Sequence, residues 1–164
     1  MRRIAILGNA GSGKSYLARA LEARYQLPVL DLDDVFWLTP GDYTTKRPPT
    51  DVRAIVDAEA HKDSWVVEGV YGELIEPFLL RAERLVWLDL SWEVAKARIV
   101  ARQQQQHGSL TSASFAALFE YAGAYWQRGD ARSHAGHGRM FEAFGGVKHR
   151  LTSETAVNTF IAQL

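Results

Sequence analysis

Eight residues near the start of the chain, Gly8-Asn9-Ala10-Gly11-Ser12-Gly13-Lys14-Ser15, complete a Gly-x-x-x-x-Gly-Lys-Ser pattern. Each residue type in it has a task in holding a chain of phosphates. The glycines let the backbone curl until its N–H groups point at a β-phosphate. The lysine ammonium reaches the β- and γ-oxygens, and the serine hydroxyl ligates Mg²⁺. The pattern follows Arg3 to Leu7, an apolar run that reads as a buried strand. It opens the segment Lys14 to Tyr25, in which Leu17, Ala18, Leu21 and Tyr25 recur at helical spacing. A strand before and a helix after are the setting such a loop requires, and the positive end of that helix faces the phosphates. Gly8 to Ser15, together with Tyr16, are the residues expected to bind ATP or another nucleoside triphosphate with Mg²⁺. A dinucleotide fingerprint fits worse, because Tyr16 stands where a third glycine is needed.

Carboxylates recur where later strands end. The second predicted strand closes in Asp31-Leu32-Asp33-Asp34, the third in Glu68 and the fourth in Asp89. In a doubly wound sheet, ligands sit beyond the carboxyl ends of the strands. Asp31 and Asp33 are two apart, so in extended chain they point the same way. One is then expected at a Mg²⁺-bound water and the other at a substrate hydroxyl; the alternative is a capped turn at Asp33 and Asp34. Glu68, after Trp65-Val66-Val67, has the shape of a Walker B acid, against the alternative of a solvated strand end. Ser15, Asp31 and Glu68 are the candidate metal-site residues. Asp89 is expected to be structural, capping the next helix through Ser91.

Arginine neutralises the charge that builds on a transferring phosphoryl group with a planar fork of donors. Arg98 and Arg102 lie four apart on one predicted helix; Arg128 and Arg132, further on, are again four apart. Arg47 and Arg53 flank the loop after the second strand, a place for an acceptor, although a solvated surface is the simpler reading. His134 and His137, with His149, suggest a metal site less than a flexible polar loop.

These groups need a frame to hold them. Strands are expected at Arg3 to Leu7, Val29 to Asp31, Trp65 to Glu68, Leu85 to Leu90 and Val147 to Leu151. Helices are expected at Lys14 to Tyr25, Asp51 to His61, Gly72 to Leu80, Trp92 to Gln106, Phe115 to Arg128 and Glu154 to Leu164. Trp37 to Pro49 reads as loop, Gly108 to Ser114 as a polar break, and Ser133 to Gly146 as Gly-rich and irregular. Strands alternating with helices argue for an α/β fold with a parallel sheet covered on both faces.

The 164 residues suit one domain of ordinary size, able to build a core without covalent staples. No cysteine is present, which excludes disulfides and thiolate metal sites. With 19 basic and 19 acidic side chains there is no global positive field for nucleic acid or an anionic membrane. No apolar run approaches a membrane span, and Met1-Arg2-Arg3-Ile4 enters a strand at once, so a cytoplasmic protein is expected.

Taken in order, these motifs resemble the adenylate-kinase-like small P-loop kinases. Within them the chain is most similar to the proteins labelled DNA topology modulation proteins. The likeness rests on Arg3-Ile4-Ala5-Ile6-Leu7-Gly8 through Ser15, then Leu32-Asp33-Asp34-Val35-Phe36-Trp37 and Trp65-Val66-Val67-Glu68-Gly69-Val70-Tyr71. It continues through Val86-Trp87-Leu88-Asp89, Arg98-Ile99-Val100-Ala101-Arg102 and Tyr125-Trp126 to Arg132. The resemblance implies a P-loop NTPase fold with a five-stranded parallel sheet and a small helical lid over about 103–132. It implies a kinase acting on a small acceptor, with Arg98 on the adenine, Arg102 on phosphate, and Arg128 and Arg132 on the returning lid helix. Asp31-Leu32-Asp33 also resembles the Asp-x-Asp of shikimate kinases, with the first acid near Mg²⁺ and the second on the acceptor hydroxyl. The expected catalytic set is therefore Lys14, Asp33, Arg98 and Arg132. The chain departs from its closest family at Glu68-Gly69-Val70-Tyr71, where Asp-Gly-Asn-Tyr is usual, and it lacks the AMP-site motifs of true adenylate kinases. A nucleotide-binding module without an acceptor is the alternative from another class.

Overall fold

The computed structural model describes residues 2–39, 43–105 and 110–164. Strand β1 (Arg3–Gly8) leads into helix α1 (Lys14–Tyr25), followed by β2 (Val29–Asp31), α2 (Leu32–Phe36), α3 (Pro49–Ala60), β3 (Trp65–Gly69) and α4 (Gly72–Leu79). Then come β4 (Arg84–Leu88), α5 (Trp92–Gln105), α6 (Ser112–Gly123) with a 3-10 turn at Ala124–Trp126, α7 (His134–Ala143), β5 (Val147–Leu151) and α8 (Glu154–Ala162). The five strands run parallel in the order β2-β3-β1-β4-β5. The expected α/β architecture, a five-stranded parallel sheet flanked by helices, is the one observed. Among the described residues, no helix is long and apolar enough to cross a membrane.

Strand side chains alternate between two cores, as the two-residue period of extended chain demands. Ala5, Leu7, Trp65, Val67, Leu85 and Trp87 enter one core, with Val52 and Val56 of α3, Ile75 and Phe78 of α4 and Phe141 of α7. Ile4, Ile6, Val66, Val86 and Leu88 enter the other, with Leu17 and Leu21 of α1 and Val157 of α8. Burial on both faces explains why these strands read as continuous apolar runs.

The segment Ser133 to Gly146 corrects the sequence reading, because most of it is helix α7. Ser133 caps the helix by accepting the Gly136 N–H at 3.0 Å, and its hydroxyl donates to the Asp130 carbonyl at 2.6 Å. Gly136 weakens helix propensity, yet a Cβ there would run into the backbone of Asp130 and Ala131. On the other side of that turn, a Cβ on Gly72 would collide with the Ala131 carbonyl. Two glycines thus let the turn before α7 wedge between α4 and α7.

The histidines are consequently not in a flexible loop. His137 is fully buried; its Nε2 donates to the Val70 carbonyl at 3.0 Å, and its Nδ1 accepts the Tyr125 hydroxyl at 2.7 Å. His134 meets Asp89 at 3.0 Å, and Arg150 donates to the same carboxylate through Nε at 2.9 Å and Nη2 at 2.5 Å. Asp89 is structural as expected, although its side chain ties β5 and α7 to the end of β4 rather than capping α5. His149 lies on β5, 3.2 Å from Arg84.

Burial pushes the His137 ring down from 6.5 to about 4. Between those values the unfolded chain binds the proton and the folded one does not. This contribution to stability is complete above pH 6.5 and is lost as pH falls toward 4, by at most about 1.4 kcal/mol per pH unit. The stability gap between the wild type and a His137→Gln variant is therefore expected to narrow from pH 7 to pH 4. Denaturant titrations at several pH values check it, and a gap independent of pH would contradict it.

Candidate active site

The phosphate loop is shaped by backbone that side chains would block. Gly11 and Gly13 hold positive φ of 75° and 97°, where glycine is favoured. A Cβ on Gly11 would also lie 2.5 Å from the Ala95 carbonyl of α5. Gly13 is the N-cap of α1 and offers no side chain to the helix's first N–H groups. Those donors and the positive end of the helix are what a phosphate needs, so the cradle fits a polyphosphate. Lys14 Nζ spans the loop to the Asn9 carbonyl at 3.0 Å. Asn9 and Ser12 are buried behind the cleft wall, and Asn9 Nδ2 donates to the Ala122 carbonyl at 2.9 Å. Asn9 therefore moors the loop to α6, whereas Ala10, Gly11, Gly13, Lys14, Ser15 and Tyr16 line the cleft directly.

The sheet register assembles the acids. Asp31 at the end of β2 pairs with Glu68 of β3, and Glu68 pairs with Ile6 of β1 on its other side. Glu68 is buried, unlike a solvated strand end, and accepts the Ser15 hydroxyl proton at 2.5 Å. A serine that donates there keeps its oxygen lone pairs for a cation. Burial, with the Glu68 and Asp33 carboxylates adding, pushes Asp31 up to about 7. A divalent cation close by would relieve that repulsion. No three His, Asp or Glu side chains converge on one point among the described residues. The arrangement suits Mg²⁺ that keeps several waters and takes most of its ligands from phosphates.

Asp33 departs from the extended geometry expected of it. Asp31 is the N-cap of α2 and accepts the Asp33 N–H at 2.9 Å, so Asp33 stands in the first helical turn. Its side chain nevertheless lines the same cleft as Lys14, Ser15 and Glu68. The cleft encloses about 710 Å³, a volume typical of small-molecule sites.

Arg98 and Arg102 of α5 both line the cleft. Arg98 donates to the Ser12 carbonyl at 2.9 Å and holds Glu154 of α8 through Nη2 at 2.7 Å, so it braces the phosphate loop. The second arginine pair divides. Arg132 lines the cleft, bonds Glu73 through Nε at 2.6 Å and lies over the rings of Phe36 and Tyr71 at 4.6 and 4.7 Å. Arg128 turns instead to the Tyr121 and Arg132 carbonyls at 2.7 and 3.0 Å and holds the turn in place. Arg47 likewise bonds backbone, the Val35 carbonyl at 3.0 Å, in keeping with a structural role.

No family model and no curated protein matches this chain. Solved structures do. A shikimate kinase from Aquifex aeolicus vf5 matches at 16% identity with a TM-score of 0.56, covering 98% of this chain and 94% of its own. The Acinetobacter baumannii shikimate kinase in complex with shikimate gives 13% and 0.60, with 99% and 90% covered. A sugar kinase from Janibacter sp. HTCC2649 gives 12% and 0.53, with 99% and 91% covered. The fold is that of the shikimate kinases. At these identities the likeness is one of fold, and it extends over nearly the whole chain.

In this P-loop fold, several cleft residues are ones to which the sequence motifs assigned no ligand role. Phe36, Trp37, Tyr43, Lys46, Tyr71 and Tyr121 also line the cleft. Tyr71 had a usable signal, since it follows β3 by two residues at the sheet edge that carries Glu68. The others sit on α2, α6 and the loop after α2, where nothing in their spacing marks a ligand. Part of the expected lid, Gln106 to Ser109, lies outside the described residues; α6, within the expected lid range, contributes Ser114, Ala117, Leu118 and Tyr121 to the cleft.

Proposed function

We propose that this chain is a phosphotransferase that moves the γ-phosphoryl group of Mg·ATP to a hydroxyl of a small acceptor, a nucleotide or a hydroxylated metabolite. The observation that carries the proposal is one cleft lined both by the phosphate loop, through Lys14 and Ser15, and by a carboxylate, Asp33, that is not engaged in metal-site hydrogen bonds to Ser15. The kinases among its structural neighbours support the same reading.

In this reading the loop amides and Lys14 hold the phosphates, and Ser15, Asp31 and Glu68 attend the metal. Mg²⁺ carried by the nucleotide would neutralise charge on the phosphate oxygens. Arg98 and Arg102 bind the nucleotide from α5. Arg132 faces the transferring group from the acceptor side, and Asp33 orients and deprotonates the acceptor hydroxyl. Catalysis is then positioning and charge neutralisation without a covalent intermediate. The chain works as one domain, with the lid at about 103–132 closing over both substrates. The motif-level likeness to the DNA topology modulation proteins enters here for its kinase-like architecture, and with 19 charges of each sign nucleic acid is not an expected partner.

The test is a screen of nucleoside monophosphates, nucleosides and small hydroxylated metabolites for stimulated ADP release. A productive acceptor raises turnover well above the hydrolytic background. Flat turnover across the screen, together with tight ATP binding, would favour the nucleotide-binding module instead.

A further inference from the structure

We propose that Tyr71 is the positioning residue for Asp33, fixing which carboxylate oxygen faces the acceptor. This inference rests on the phosphotransferase reading. The Tyr71 hydroxyl donates to Asp33 Oδ1 at 2.6 Å. The same hydroxyl accepts the Trp37 indole N–H at 3.1 Å, so its single proton is committed to Asp33. Asp33 is thereby held from two directions, its N–H by the Asp31 carboxylate and one side-chain oxygen by Tyr71. Among the described residues Oδ2 has no hydrogen-bond donor, which leaves it as the oxygen for a substrate hydroxyl.

The Tyr71 ring is itself fixed. It stacks on Phe36 with centroids 4.6 Å apart and planes 24° from parallel, and Arg132 covers the pair. Its backbone is pinned one residue earlier, where the Val70 carbonyl accepts the buried His137 N–H at 3.0 Å. A side chain 5% exposed, with its hydroxyl bonded on both sides and turned toward a cleft carboxylate, does more than fill space. A phenylalanine there would pack as well and leave the carboxylate free to rotate. Orientation of this kind is what a positioned catalytic group contributes to rate, since small misplacements cost large factors.

The experiment is a double-mutant cycle of Tyr71→Phe and Asp33→Asn on the full chain, read by ATP affinity, kcat and KM for the best acceptor, and melting temperature. Tyr71→Phe is expected to lower kcat about tenfold with ATP affinity unchanged, and to cost less than about twofold once Asp33 is already Asn. Trp37→Phe, which removes the donor to Tyr71, should move kcat in the same direction by a smaller factor. Full activity in folded Tyr71→Phe, or losses in kcat that simply multiply, would overturn the positioning role alone. A wild type with no acceptor-dependent turnover would overturn the phosphotransferase reading and this role with it. A fall in melting temperature with kcat intact would assign the contact to stability and overturn the inference.

Discussion

Lys14→Ala is expected to lower nucleotide-dependent turnover by about a hundredfold or more while leaving the protein folded. The ammonium would make charge-assisted bonds to two phosphates, each worth roughly 1.5–3 kcal/mol, and every 1.36 kcal/mol is about a factor of ten. Among the described residues its hydrogen bond goes to the Asn9 carbonyl at 3.0 Å. That carbonyl also accepts the Ser12 N–H at 3.2 Å, so losing the lysine leaves it satisfied. The effect on stability should therefore stay within about 1 kcal/mol. Calorimetry with ATP, a turnover assay and a melting curve check the three parts of this expectation. Unchanged affinity together with unchanged turnover would remove the phosphate loop from the function.

Asp33→Asn is expected to abolish most acceptor-dependent turnover, by about a hundredfold or more, with ATP affinity nearly unchanged. The substitution keeps the shape and removes the charge and the basicity. Asp33 does not cap α2; Asp31 does, by accepting the Asp33 N–H. The variant therefore leaves the cap intact, and its structural cost is confined to the Tyr71 hydrogen bond at 2.6 Å. This separates the readings cleanly. A phosphotransferase loses kcat for the acceptor, whereas a binding module keeps its slow ATPase rate. A variant with full acceptor-dependent activity would take Asp33 out of the mechanism and make Glu68 the next carboxylate to test.

The phosphate loop, the strands and the class of fold were legible in residue order alone, because each depends on local rules. Gly11 and Gly13 stand where positive φ is required, Lys14 and Ser15 follow at the spacing phosphate and Mg²⁺ demand, and buried parallel strands show as short apolar runs. The positions of Asp31 and Glu68 at strand ends were legible for the same reason. Their pairing was not, since it depends on β2 and β3 being neighbours in the sheet, a contact between residues 37 positions apart. Helix α7 was hidden because Gly136 and Gly138 argue locally against a helix, and only the close approach of the Asp130–Ala131 turn makes glycine necessary at 136. The division of labour between Arg128 and Arg132 was likewise a tertiary decision. Both arginines have the same chemistry, but Tyr121 offers a carbonyl to one and Glu73 offers a carboxylate beside the cleft to the other. Tyr71 came to Asp33 by the same route, through the packing of α2 against the end of β3, which no spacing rule along the chain encodes.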